Sequence, residues 1–141
     1  MAEERVRQAV AAARAILEAE GWSAVTMRRL AAELGIRAPS LYKHLPDKAA
    51  VEIALIATGL EEMGAALAGG GPDLAGVAAA YRRYALAHPH LYALMTAGPL
   101  PRERLPAGLE ERAAAALEIA GRFPPGADLD AAWAAMAAAF A

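Results

Sequence analysis

The chain has 141 residues and 57% of them are hydrophobic, but 41 of these are alanine, so the larger apolar side chains suffice for one modest core or two small ones. Only 13 residues are β-branched, which argues against a sheet and makes an all-α protein the expectation. Cysteine is absent, which excludes disulfide frameworks, thiolate zinc sites and cysteine nucleophiles.

The net charge of −2 is unevenly distributed. Residues 1–50 hold eight Lys and Arg against six Asp and Glu, whereas residues 51–141 hold six against ten. A basic end on an acidic body is expected when that end binds the phosphates of a nucleic acid, although many solvated helix faces have the same distribution of charge. We expect no secretion signal and no stretch able to span a bilayer, and therefore a soluble, cytoplasmic protein.

The first half of the chain begins with two predicted helices. Apolar residues recur at helical spacing from about residue 4 to residue 20, and Gly21 then stops the first helix. Thr26 is a good N-cap for a second, short helix, which Gly35 ends.

Two further helices are predicted before the middle of the chain. The third has Pro39 in its first turn, where a missing N–H costs nothing, and Pro46 closes it after about eight residues. Asp47 can cap a long fourth helix, which ends at the break over residues 69–72.

The second half reads as a helical lobe. Asp73 caps a helix that Pro89 breaks, and a short apolar segment follows. The remaining patterns predict a loop over 98–108, a helix over about 109–122 and a last helix capped by Asp128.

The segment from Thr26 to Lys48 has the spacing of a helix-turn-helix. Gly35 allows a positive φ in the turn, and Ala31 is small where the third helix crosses. Eight residues at about 1.5 Å each give a helix of about 12 Å, which matches the roughly 12 Å width of the major groove.

This segment resembles the tetracycline-repressor (TetR) family of bacterial transcriptional regulators. The resemblance is carried by AILEAEGWSAVT (15–26) and MRRLAAELGIRAPSLYKHLPDKAAV (27–51), in which Tyr42, His44 and Lys48 follow Gly35 at the family's intervals. In the second half, RRYALAHPHLYALM (82–95) and DLDAAWAAM (128–136) look like the ligand-binding and dimerisation region of the subgroup with the WHG-type C-terminal domain.

The resemblance implies a three-helix DNA-binding head over residues 1–48 and a helical ligand-binding and dimerisation domain over residues 49–141. It implies a ligand-responsive repressor that binds a palindromic double-stranded DNA operator as a homodimer, with no cofactor. The DNA-contacting residues that it implies are Thr26, Arg28, Arg29, Arg37, Ala38, Pro39, Ser40, Tyr42, Lys43, His44 and Lys48.

Within this set the expected roles differ. Arg37 and Lys43 would read base edges by hydrogen bonds, whereas Ala38 and Pro39 offer only apolar contact to a thymine methyl group. Lys48 and the backbone N–H groups at the helix capped by Thr26 would bind phosphates. Tyr42 and His44 would contact phosphates or flanking bases. Two alternatives stay open for them: Tyr42 could be a packing residue, and His44 could cap the third helix.

The second lobe offers a candidate pocket and a candidate dimer surface. Aromatic and methionine side chains there either line a pocket for a small apolar effector or fill the core. The residues are Met63, Tyr81, Tyr84, Tyr92, Met95 and Trp133. The C-terminal region is shorter than the family's usual one, and its apolar stripe predicts a dimer interface formed by Leu129, Trp133, Met136 and Phe140.

Other functions have weaker support. His88 and His90 lack a third ligand nearby in sequence, so we expect no metal site. Ser23 and Ser40 have no base beside them, so we expect no enzyme. The competing class is a helical protein–protein interaction module without sequence-specific DNA binding.

Overall fold

A computed structural model describes residues 2–119 and 129–140, and every regular element in these ranges is helical. The all-α prediction is therefore confirmed. The α-helices of the described residues are α1 (Ala2–Glu20), α2 (Met27–Leu34), α3 (Ala38–Tyr42), α4 (Lys48–Ala68), α5 (Leu74–Ala87), α6 (Pro89–Thr96), α7 (Leu109–Ile119) and α8 (Leu129–Phe140). Short 3₁₀ turns lie at Trp22–Ala24 and Arg102–Arg104.

The chain forms two compact units. The first consists of Met1–Thr58 and Pro89–Leu105, and the second of Gly59–His88 and Pro106–Ala141. The first unit therefore contains α1 to α3, the beginning of α4, and α6. The domain division at residue 48 that the sequence suggested stays a prediction.

The first unit is built around α1. Its inner face buries Ala13 and Leu17, and both α2 and α6 pack against this helix. Leu91 of α6 is fully buried in the same unit. Small alanines on α1 allow neighbouring helices to approach closely, which suits a core with few large side chains.

Three predicted N-caps are confirmed. The side chain of Thr26 accepts a hydrogen bond from the backbone N–H of Arg29 at 3.1 Å. Asp47 accepts one from Ala50 at 2.8 Å, and Asp73 accepts one from Gly76 at 2.7 Å. Each bond satisfies a backbone donor that the first helical turn leaves unpaired. The predicted cap Asp128 lies outside the described residues.

The third helix is shorter than predicted. It spans five residues, or about 8 Å at a rise of about 1.5 Å per residue, so the prediction of about eight residues was wrong. The N–H groups of His44 and Leu45 both donate to the carbonyl of Leu41 at 3.0 Å, which tightens the end into a turn. Leu45 precedes Pro46, and the proline ring disfavours helical geometry at the residue before it.

In the second unit, α4 and α7 approach closely at a glycine. A Cβ atom added to Gly64 would lie 2.8 Å from the Cα atom of Ala113, so a larger residue does not fit. α5 packs against both α7 and α8. In the described ranges, no helix combines the length and apolarity needed to cross a membrane.

Candidate nucleic-acid interface

The turn between α2 and α3 depends on one glycine. Gly35 has φ 64° and ψ 32°, in the left-handed region. Its N–H donates to the carbonyl of Ala32 at 3.1 Å, and the N–H of Ile36 donates to that of Ala31 at 3.0 Å. These bonds satisfy the last carbonyls of α2 while the chain reverses towards α3. The predicted positive φ is confirmed.

α3 presents two different faces. Leu41 is fully buried, as is Leu30 of α2, against which α3 packs, and Ala31 of α2 is also buried. The outer face is exposed to solvent. The exposed side chains of α3 and of the residues directly before and after it are Arg37, Pro39, Ser40, Tyr42 and Lys43. Because 45% of Tyr42 is exposed, this side chain is not a core packing residue. Ala38 and His44 are half-buried.

Three cations of this region are free. Among the described residues, Arg28, Arg37 and Lys43 form neither an ion pair nor a side-chain hydrogen bond, and all three are exposed. The backbone carbonyl of Arg37 accepts the N–H of Ser40 at 3.0 Å and so begins α3. An exposed cation without a protein partner can bind phosphate or a base edge without breaking an existing pair.

Arg29 differs from these three because it is already paired. Its guanidinium donates to the carboxylate of Glu20 at the end of α1. This hydrogen bond lowers the pKa of Glu20 below its usual value of 4.5 and raises that of Arg29. The pair connects α1 to α2 across nine positions in sequence.

Lys48 is held by Trp22. Its ammonium nitrogen donates to the backbone carbonyl of Trp22 at 3.3 Å and lies 4.5 Å from the centroid of the indole ring. The contact therefore combines a hydrogen bond with a cation–π interaction. It connects the first residue of α4 to the 3₁₀ turn that follows α1.

The sequence reasoning missed both of these contacts. Trp22 was visible as an aromatic residue directly after the glycine that stops α1, which is a signal for a packed turn. Glu20 was visible only as one more acidic residue at the end of α1. The structure places the eleven predicted DNA-contacting residues in one segment of the first unit, with Arg29 and Lys48 committed to partners in the same unit.

The predicted effector residues divide between the two units. Met63, Tyr81 and Tyr84 are buried in the second unit, where the hydroxyl of Tyr84 donates to Glu62 at 2.8 Å. Trp133 is half-buried there. Tyr92 and Met95 belong to the first unit instead, and Met95 lines a cleft in it.

The predicted dimer residues are only partly described. The side chains of Leu129 and Phe140 lie outside the described residues. Met136 is 4% exposed and so is buried within its own chain. The indole N–H of Trp133 donates to the carboxylate of Glu110 at 3.0 Å.

The histidines considered as metal ligands have other neighbours. The ring of His88 lies 4.7 Å from that of Tyr84, centroid to centroid, and His90 lies beside Gly21. Within the ranges 2–119 and 129–140, no group of three metal-ligating side chains converges.

Two family models match the chain. The model for bacterial regulatory proteins of the tetR family matches residues 9–55. The model for a tetracyclin repressor-like C-terminal domain matches residues 74–117. The chain belongs to the TetR family. The first match contains the whole helix-turn-helix, so the resemblance seen in the sequence is confirmed, while the WHG-type subgroup stays a prediction.

Similar proteins agree with the TetR assignment. The uncharacterized HTH-type transcriptional regulator Rv0681 of Mycobacterium tuberculosis is 40% identical over 91 residues, which are 60% of this chain and 41% of that protein. The match thus spans about two fifths of this TetR relative's length.

Two solved structures share the TetR-like fold of this chain. One is SCO4313, described as a regulatory protein, with a TM-score of 0.63, 28% identity, and coverage of 83% of this chain and 59% of that one. The other is a protein of unknown function from Rhodococcus sp. RHA1, with a TM-score of 0.63, 28% identity, and coverage of 95% and 76%.

Proposed function

We propose that the chain is a DNA-binding transcriptional regulator whose α3 enters the major groove of a palindromic operator. The observation that carries the proposal is the contrast between buried Leu41 in α3 and the exposed Arg37 and Lys43 directly before and after this helix, which have no partner among the described residues. Phosphates attract such cations, and base edges accept their hydrogen bonds. Membership of the TetR family supports the same function.

Base readout rests on the outer face of α3. Arg37 and Lys43 donate to guanine, and each properly paired contact contributes roughly 1 to 3 kcal/mol of discrimination. Ser40 donates or accepts, whereas Ala38 and Pro39 contact a thymine methyl group. At five residues, α3 is short, so Lys43 acts from the turn after the helix.

Phosphate contacts surround this readout surface. Arg28 and the N–H groups of α2 that Thr26 leaves unpaired bind backbone phosphates, and Tyr42 and His44 contact phosphates or flanking bases. Arg29 and Lys48 still have N–H groups available for phosphate beyond those that bond to their protein partners, because a guanidinium has five N–H groups and an ammonium three.

The regulator acts in the cytoplasm as a homodimer, with its two α3 helices roughly 34 to 36 Å apart in successive major grooves. It responds to a small effector, requires no cofactor and has no enzymatic activity. Because Met136 is already buried within its chain, it adds little area to the dimer contact proposed for Leu129, Trp133, Met136 and Phe140. No observation favours the interaction-module alternative.

Selection from a randomised duplex library tests this function. The full chain enriches a palindromic motif at low salt, and Arg37→Ala and Lys43→Ala blur it at defined positions. Arg82→Ala removes an exposed arginine of α5 in the second unit and serves as the matched control. Binding weakens steeply as salt rises, since each neutralised phosphate releases counterions. Absence of enrichment at low salt overturns the proposal.

A further inference from the structure

The first unit contains a cleft that none of the DNA contacts uses. Its volume is about 300 Å³, and it lies between the beginning of α4, the end of α6 and the loop that follows α6. We call it the α4–α6 cleft. Its lining residues are Ala49, Glu52, Ile53, Ile56, Leu94, Met95 and residues 97–101. The volume is at the lower end of the range for small-molecule sites, roughly 300 to 1,000 Å³.

The cleft is apolar at its base and open at one side. Ile56, Leu94 and Met95 are buried, whereas Ala97 and Gly98 in the loop are exposed. A ligand can therefore enter past the loop and contact aliphatic side chains and the Met95 thioether. Sulfur is polarisable and makes favourable contacts with aromatic rings.

The charged group of the cleft is a carboxylate. Glu52 carries the only charge among the lining residues, all of which the structure describes. Its half-buried carboxylate has no hydrogen-bond or ion-pair partner within the described part of the chain. Two of the lining loop residues, Pro99 and Pro101, have no N–H to donate. An unpaired carboxylate beside an apolar surface is complementary to a cation with an apolar body.

We propose that the α4–α6 cleft binds a small hydrophobic amine, whose ammonium group pairs with the Glu52 carboxylate and whose apolar part contacts Ile53, Ile56 and Met95. The role of the cleft as the effector site of the regulator rests on the proposed function, whereas the binding of an amine to the cleft does not. It lies within the unit that carries the helix-turn-helix.

The beginning of α4 provides the route from ligand to DNA contacts. Glu52 and Ile53 line the cleft, whereas Val51 and Leu55 of the same turns are fully buried. One turn earlier, Lys48 donates to Trp22. An amine held at Glu52 therefore acts on the same helical turns that fix the beginning of α4.

Two other clefts are less suited to a charged ligand. The groove of about 430 Å³ along α1 has Arg7 and Arg14 at its edge, and these already pair with Glu4 and Glu18. A cleft of about 290 Å³ in the second unit has Arg112, which already donates to a backbone carbonyl.

Titration calorimetry without DNA tests the site. The probes are phenethylamine, phenethyl alcohol and hydrocinnamate, which share one apolar body and differ in charge. We expect the amine to bind about tenfold more tightly than the alcohol, as one charge-assisted hydrogen bond allows, and hydrocinnamate to show no binding. Amide NMR shifts at Leu94, Met95 and Gly98 locate the ligand. Failure of the amine to bind, or equal binding of all three probes, overturns the site.

Two variants test whether the Glu52 carboxylate is the group that recognises the ammonium. Glu52→Gln abolishes the preference for amine over alcohol, whereas Glu61→Gln, which removes an exposed carboxylate from the same helix, leaves it unchanged. An amine preference that survives Glu52→Gln overturns the assignment.

A linkage measurement tests the effector role separately. The amine changes operator affinity by the same factor by which operator DNA changes amine affinity. Absence of this coupling overturns the effector role. If the library selection yields no operator but the amine binds, the regulator proposal fails and the amine site stands. If the protein binds an operator but does not bind the amine, only the amine site fails.

Discussion

The ammonium of Lys48 lies 4.5 Å from the centre of the Trp22 indole and donates to the Trp22 carbonyl at 3.3 Å. Two elements far apart in sequence, the turn after α1 and the first residue of α4, are thereby joined in the first unit. This contact fixes where the long helix begins relative to the helix-turn-helix that precedes it.

We predict measurable coupling between these two side chains. Trp22→Leu removes the ring and Lys48→Met removes the charge while keeping most of the aliphatic stem. A double-mutant cycle on the free energy of unfolding gives a coupling of about 0.5 to 2 kcal/mol, the range of cation–π contacts. Trp22→Phe keeps a ring and retains part of the coupling. A coupling of zero shows that the two groups are neighbours without a net interaction.

The Glu20–Arg29 pair predicts an acid dependence of stability. Arg29 lowers the pKa of Glu20 below 4.5 in the folded state. Glu20 is therefore harder to protonate in the folded protein than in the unfolded chain. The contribution of the pair to stability is complete at neutral pH and is lost as the pH falls from about 4.5 through the lowered pKa. Urea unfolding of wild type and Glu20→Gln at several pH values measures it.

The two proteins should differ in stability at pH 7 by a small amount, since the pair is exposed, and the difference should vanish in strong acid. Glu3→Gln, which removes an exposed carboxylate from the first turn of α1, is the control. A difference that stays constant from neutral to acid pH would rule out the ion pair as its source.

The beginnings of several helices in both units could be predicted from local sequence signals. Thr26, Asp47 and Asp73 cap helices as predicted, because an N-cap needs only a side chain and the next turn of the same helix. The predicted length of α3 was too great, because the chain already turns after Tyr42, where the N–H groups of His44 and Leu45 both donate to the Leu41 carbonyl. The contacts of Trp22 and Glu20 depend on how helices pack, and periodicity within one helix carries no information on that.

Part of the candidate site could likewise be predicted from local sequence signals. The position of Leu41 in a helical pattern predicts the buried side of α3, but it does not identify Arg37, which lies four positions earlier and just before the helix. Both Arg37 and Lys43 follow instead from the resemblance to the TetR family. Which cations are free was not predictable, because Arg29 and Arg28 are adjacent in sequence and only one of them reaches an acidic partner.

Gly35→Ala tests the turn of the helix-turn-helix. A Cβ atom there would meet no atom within 4 Å, so the whole cost comes from φ +64°. We expect a loss of about 1 to 2 kcal/mol in the free energy of unfolding, the cost of a left-handed L-residue. Gly98→Ala also places Cβ in open space but without a positive φ, so it should change stability little. Equal effects of the two substitutions would contradict the backbone explanation.

Gly64→Ala tests the close approach of α4 and α7 in the second unit. Its Cβ would lie 2.8 Å from the Cα atom of Ala113, and because that atom is backbone, the helices themselves must separate. We expect a loss of about 1 to 3 kcal/mol, as for other overpacked cores, despite the better helix propensity of alanine. Gly69→Ala, whose Cβ would make only ordinary contacts at 3.5 and 3.7 Å, is the control. Thermal unfolding of both variants gives the comparison, and a Gly64→Ala protein as stable as wild type would show that α7 can shift without cost.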